Sequence, residues 1–338
     1  MKRGATKHGV TKHGATKQRR LLAALVALVG SALALGGCVS AWRQQQVRLA
    51  IIDWPAYEYF YLASKTGLDR AQGFSLQVDQ FGSLQDQRRA FSRGDVEAIA
   101  TTLPEAIAIC REAPARCPWI VLVLDESNGA DQVMGSARLP SPAALKGQRV
   151  GLERSVLGEF VLLRALQSHG LNLADLSLRY DGPKALVTQL QRGSVAAIVT
   201  YAPHSDALIG DPRWRVLFSS SQMPGEVVDV LAVSPELVRH DPQLVSALVR
   251  TWWTARAFAV DQPQQAVELM AQRQGVPPVQ FLRSQRLIRY PGRAQQAALL
   301  AADGPIQRTL RVLEQQMRQA KRLPDGVPLP RLMPELVP

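Results

Sequence analysis

A ten-residue phrase occurs twice in this chain, as RGDVEAIATT at 93–102 and as RGSVAAIVTY at 192–201, 99 residues further on. Each copy closes a helical segment at Arg-Gly and then enters a short apolar run with a polar or aromatic tip. A joint of that kind feeds a strand into a sheet after a helix, so two copies describe two strand–helix sets of similar size. Between them stands WIVLVLDESNGAD, 119–131. Its apolar run, Ile120 to Leu124, is short and β-branched enough for a buried strand. The run stops at Asp125, followed by Glu126, Ser127, Asn128, Gly129 and Asp131. Open α/β sheets place their binding crevice at the carboxyl ends of such strands. Taken alone, the stretch is better read as a solvated acidic turn after an ordinary core strand; with the two sets on either side of it, it reads as a crossing between two lobes.

The first twenty residues hold seven Lys or Arg and no acid, and Leu21 to Leu35 is fifteen residues without a charge. That length is short for a bilayer span and suits the apolar region of a secretory signal. It ends in Leu35-Gly36-Gly37-Cys38, which resembles a bacterial lipobox. The resemblance implies removal of residues 1–37, lipidation of Cys38, a linker over 38–46, and sorting to an outer membrane where the host has one. An ordinary signal peptide or signal anchor with an incidental cysteine is the alternative.

Removing the leader takes the formal charge from +12 to +5 (12 − 7). The remaining lysines, at 65, 146, 184 and 321, are scattered, as are the arginines. Nucleic-acid binding calls for clustered cations with interleaved aromatics, so no nucleic-acid partner is expected. About 300 remaining residues suffice for two lobes with proper cores. Past Cys38 only Cys110 and Cys117 remain. Export puts them in an oxidising compartment, where a short-loop structural disulfide is expected; two unpaired thiols are the other reading.

VRLAIID, 47–53, is a buried strand, and Pro55 suits the first turn of a helix. Trp54 and Tyr57 lie nearest the strand end, where a ligand would sit, while Tyr61 reads as helix packing. FSLQVDQF leads to Gly82-Ser83, then a helix to Arg93, a strand ending in Thr101-Thr102 and a helix after Pro104.

VRLAIIDWPAYEYFYLASKTGL, FGSLQDQRRAFSRGDVEAIATT and VLDESNGAD together resemble the nitrate/sulfonate/taurine-type (NMT1/THI5-like) periplasmic substrate-binding proteins of ABC importers. In that family the Arg-Gly phrase recurs once in each lobe. The resemblance implies an α/β, two-lobed periplasmic-binding-protein fold (type II), each lobe a mixed sheet flanked by helices, with the ligand cleft between them. Lobe 1 is expected over 47–130, lobe 2 over 131–224, and a return to lobe 1 with C-terminal helices over 225–322. The proline-rich tail, 323–338, is expected to lie extended over the surface.

In the second lobe the joint Glu153 to Gly158 resembles the family's ligand loop. Backbone N–H groups at a helix start can hold an anionic group and Ser155 can add a hydroxyl donor; a simple N-cap is an equally good reading of Ser155. No GxxxxGK[ST] is present, so nucleotide hydrolysis is not supported. Where relatives often carry Trp-Glu-Pro, this chain has Tyr201-Ala202-Pro203, which keeps an aromatic wall and removes the acid. VVDVLAVS resembles the return crossing, with Asp229 facing the cleft or capping a neighbouring loop. Trp252-Trp253 reads as core.

The expected function is binding, not chemistry: a monomeric lipoprotein captures a small polar solute and delivers it to an ABC permease and its ATPase. First-lobe contacts are expected from Trp54, Tyr57, Ser83, Thr101, Asp125 and Ser127, second-lobe contacts from Glu153, Ser155 and Tyr201, with Asp131 and Asp229 near the hinge. The family implies a nitrate-, sulfonate-, taurine- or pyrimidine-like ligand. Aromatics beside several acids fit a cationic or zwitterionic nitrogen compound better. Sensing on behalf of a membrane signalling protein is a second reading, and a pyrimidine-forming enzyme a third. His169, His204 and His240 stand in no triad-like or metal-ligand spacing, so no cofactor or metal is expected; His204 lies closest to the cleft.

Overall fold

The computed structural model describes residues 45–336, with the isolated positions Met1 and Gly4. The leader and Cys38 lie outside the described residues. The apolar run 47–51 forms β1 (Gln45–Ile51), covered on both faces as a central parallel strand must be. It runs parallel to β2 (Phe74–Gln80) and β3 (Ala98–Thr102), with α1 (Glu58–Thr66) and α2 (Leu84–Arg93) in the connections. After α3 (Leu103–Glu112) comes β4 (Trp119–Ser127), and a disulfide joins Cys110 to Cys117 just before it.

The chain then leaves this sheet for a second one. β5 (Asp131–Ser136), β6 (Arg149–Leu152), α4 (Val156–Gln167), β7 (Ser177–Tyr180), α5 (Pro183–Gln191), β8 (Ala197–Tyr201) and β9 (Trp214–Ser219) follow in order. β10 (Val228–Val233) returns to the first sheet. It is followed by α6 (Pro235–His240), α7 (Pro242–Asp261), α8 (Pro263–Gln274), α9 (Pro278–Gln285), β11 (Ile288–Arg289), α10 (Gln296–Leu299), α11 (Pro305–Gln319) and β12 (Arg331–Leu332).

The larger sheet has the order β11-β4-β10-β3-β1-β2, with β12 also on β4, and the smaller β7-β6-β8-β5-β9. Both repeat one pattern. Three parallel strands, β2-β1-β3 or β7-β6-β8, are extended by an antiparallel one, β10 or β5, which has just crossed from the other sheet. The duplicated phrase is the joint before the third parallel strand. Gly94 and Gly193 end α2 and α5 at φ +85° and +69°, where a Cβ would be strained.

The two crossings run side by side. Gly129 turns the outgoing one at φ +110°. Ser127 N donates to Val227 O at 3.0 Å, and Ser220 Oγ lies 2.8 Å from Ser127 Oγ and 2.7 Å from Gly129 N. The C-terminal helices pack on the larger sheet. Trp252 of α7 is fully buried, with ring centroids 5.3 Å from Tyr59 and 5.0 Å from Phe60 of α1. Ile306, Leu310, Leu313 and Met317 form the buried stripe of α11.

The tail departs from its expectation. It does not simply lie over the surface: β12 pairs in parallel with Trp119 and Ile120 of β4, and Leu323 and Met333 are buried. The apolar residues spaced among its prolines give it something to bury, and the free edge of β4 gives its backbone partners.

Candidate functional site

The sheets meet where β1, β3, β4 and β10 end on one side and β5, β6 and β8 on the other. Trp54 and the Pro55–Tyr57 turn leave β1 pointing into this junction. The Trp54 indole donates to both carboxylate oxygens of Asp125 at 3.3 Å, and the Tyr57 hydroxyl donates to Asp229 Oδ1. Asp125 and Asp229 are partners on β4 and β10, and Asp131 faces Tyr201 across β5 and β8. From the second lobe the Tyr201 ring reaches to 6.2 Å from that of Trp54, and its hydroxyl donates to Asp53 Oδ1 at 3.4 Å. His204 Nε2 lies 3.0 Å from Asp53 Oδ2.

Two small cavities lie at the junction. One of about 10 Å³ is lined by Trp54, Tyr57, Thr102, Asp131, Tyr201 and Asp229, among others. The other, about 20 Å³, is lined by Asp131, Glu153, Ser155, Thr200 and Tyr201 with apolar neighbours. Each has room for roughly one water, so the lobes are shut and a solute enters only when they part. A wider recess of about 390 Å³, with Asp53, Lys184, His204 and Gln274 in its wall, opens beside them.

Among the described residues no Lys or Arg lines either small cavity. The carboxylates there are correspondingly hard to ionise. Burial pushes Asp131 up to about 6, against the hydrogen bond from Ser127, and Glu153 up to about 8, against that from Leu84 N. Burial and then the charge of Asp229 drive Asp125 well above the usual carboxylate range, and burial likewise raises Asp229. Asp53 is different: burial pushes it up, but the hydrogen bond and charge of His204 outweigh that and leave it low. Asp131 Oδ2 and Glu153 Oε2 are buried without a hydrogen-bond partner, as are the hydroxyls of Thr102 and Thr200. Asp131 Oδ2 is free to accept, whereas the two threonine hydroxyls and the protonated carboxyl of Glu153 can also donate.

Of the residues singled out from sequence, Trp54, Tyr57, Asp131, Glu153, Ser155, Tyr201 and Asp229 line the cavities. Asp131 and Asp229, expected near the hinge, are in the walls themselves. Asp125 stands behind Trp54, and Ser127 is engaged in the crossing. Ser83 caps α2, accepting from Asp86 N at 3.0 Å. Alternation along β3 brings Thr102 to the cavity instead of Thr101. Ser155 is the N-cap of α4, accepting from Gly158 N at 3.0 Å, and the helix start beyond it is already filled by Glu105. Asp53 and Glu105 were missed. Asp53 looks like a strand terminator and Glu105 like one more acid in the first turn of a helix, so neither carries a distinctive signal.

Two α/β lobes joined by paired crossings and shut over a buried polar cleft define the periplasmic-binding-protein class. The alkanesulfonate-binding protein SsuA of Xanthomonas axonopodis pv. citri superposes with a TM-score of 0.69 at 18% identity, over 84% of this chain and 96% of that one. The periplasmic nitrate-binding protein NrtA of Synechocystis PCC 6803 does so with 0.69 at 12%, over 84% and 83%. The chain belongs to the NMT1-like family, whose model matches residues 40–273. An aliphatic sulfonates-binding protein of Escherichia coli (strain K12) is 25% identical over 171 residues, 46% of this chain. That match spans 53%, about half, of the relative's own length.

Proposed function

We propose that this chain is the periplasmic solute-binding component of an ABC importer, and that its solute is a small nitrogen compound rich in N–H donors, cationic or neutral. Family membership and fold support the first part. The second is carried by one observation: the cavity walls offer the partnerless carboxylate oxygen Asp131 Oδ2, with Trp54 and Tyr201 beside it and, among the described residues, no cation in the lining. A sulfonate or nitrate placed there would meet acids; an ammonium or amidine would meet acceptors and ring faces. The lobes part, admit the solute and close with contacts from both sides, so its differential affinity sets the closed population. On this reading the protein acts as a monomer, residues 1–37 are a lipoprotein signal, and Cys38 carries the lipid that holds it at the membrane.

A thermal-shift screen of amines, amidines and pyrimidines against alkanesulfonates and nitrate tests this. A cognate solute at about 100 times its Kd stabilises by about 2.7 kcal/mol. Shifts from the anions alone would remove the proposed solute class.

A further inference from the structure

Two acids cross the cleft in opposite directions. Glu153, from the second lobe, accepts from the backbone N–H of Leu84, the first residue of α2 in the first lobe, at 2.5 Å. Glu105, in α3 of the first lobe, accepts with Oε1 from Val156 N at 2.5 Å and Leu157 N at 3.1 Å, the first two residues of α4 in the second. Helix starts leave N–H groups that their own turns cannot satisfy, and their dipoles favour negative charge. Ser83 and Ser155 each satisfy one, at Asp86 and Gly158. Among the described residues, the partners of the others named here come from across the cleft.

Behind Glu105 stands Arg88 of α2. Its guanidinium pairs with Glu105 Oε2 and holds Glu112 with Nε at 3.0 Å from Oε2. Glu105 is fully buried and Arg88 is 5% exposed. An arginine and two helix-terminal N–H groups converging on one buried point make an oxyanion site, and a side chain of the same protein fills it. The circuit closes on itself, because Arg88 lies on the helix whose start is held by Glu153.

We propose that Glu105 is the built-in occupant of an oxyanion site bridging the lobes, so that the lobes shut without a solute and small oxyanions are kept out. The acid does for closure what an anionic ligand would otherwise do. Its removal leaves Arg88 and the start of α4 facing each other across a gap of carboxylate size. The idea concerns the solute-free protein, so it stands or falls apart from the identity of the transported compound.

Three variants of the full-length chain test it. In Glu105→Ala, methanesulfonate or formate should recover most of the lost Tm relative to chloride at equal ionic strength, while leaving wild type unmoved. Adding Arg88→Gln should abolish the recovery. Glu105→Gln keeps the shape and loses the charge, and it decides the matter should the alanine variant fail to fold. Hydrogen exchange without solute should then be at least tenfold faster at Val156–Leu157 and also at Leu84, whose own partner Glu153 is untouched. Exchange that quickens at Val156–Leu157 alone, or an alanine variant that folds and ignores both anions, would overturn the proposal.

Discussion

Asp125 and Asp229 stand side by side on β4 and β10, both buried, and each receives a donor from the same short turn after β1, the Trp54 indole or the Tyr57 hydroxyl. Two buried carboxylates with no lysine or arginine in the cavity wall do not both ionise near neutral pH. Burial, and the charge of Asp229 on Asp125, favour one proton held between them, and such a pair titrates as a unit. An amide in place of Asp125 keeps an oxygen for the indole and gives Asp229 a permanent N–H donor. Asp125→Asn should therefore be as stable as wild type at neutral pH and more stable above it. Asp125→Leu leaves Trp54 and Asp229 without that partner and should cost about 1–3 kcal/mol in urea melts. Equal damage from the two substitutions would rule out a shared proton.

The walls of the cavities also set a pH dependence. Asp131 sits at about 6 against an ordinary 3.8, and Glu153 at about 8 against 4.5, both raised by burial. A raised carboxyl means that the native state keeps a proton the unfolded chain has released. The associated stability is fully present below about pH 4 and is lost as pH climbs towards 6 for Asp131 and 8 for Glu153. Within its window each group contributes a fall of up to about 1.4 kcal/mol per pH unit. The urea midpoint should drop between pH 5 and 8, and Glu153→Gln should remove most of the upper part of the drop. A midpoint that rises across this interval would contradict these assignments.

How far the sequence could be read depends on where each interaction lies along the chain. The duplicated joint was legible because a helix-ending glycine and an apolar strand are local requirements, and Gly94 and Gly193 meet them in the same way. Trp54, Tyr57 and Tyr201 were legible as aromatics at strand ends. Thr102 was hidden by its neighbour, since the face a strand residue takes depends on register with β1 and β10. Glu105 was beyond reach, because its partners at 156 and 157 are about fifty residues away and are backbone groups, which leave no mark in composition.

The disulfide gives a prediction independent of the cleft. Cys110 and Cys117 are 7 residues apart and tie the end of α3 to the approach of β4, the strand that carries Asp125. Closing a loop this short restricts the unfolded chain by about 2–3 kcal/mol. Replacing both cysteines with alanine should lower unfolding free energy by about that amount in denaturant melts. It should leave solute binding intact, because neither residue lines a cavity. A loss of binding without a loss of stability would give the bridge a role in positioning β4.

Trp54 and Asp131 make separable contributions to solute capture. The Trp54 ring lies on the first-lobe side, its centroid 6.2 Å from that of Tyr201 of the second and its plane tilted by 58° to it, so Trp54 gives the cavity one aromatic wall. Asp131 Oδ2 is buried and without a partner at the same cavity. A cation over an aromatic face gains about 0.5–2 kcal/mol, and a charge-assisted hydrogen bond about 1.5–3 kcal/mol. Trp54→Ala should thus weaken a cationic amine ligand about two- to thirtyfold. Asp131→Asn should weaken an ammonium or amidine more than a neutral pyrimidine, because the amide retains an acceptor and loses the charge. Calorimetric titration of both variants with a charged and a neutral ligand separates the two effects. Equal losses for both ligands in Asp131→Asn would mean that this carboxyl is neutral when it meets the solute, as its value of about 6 permits at lower pH.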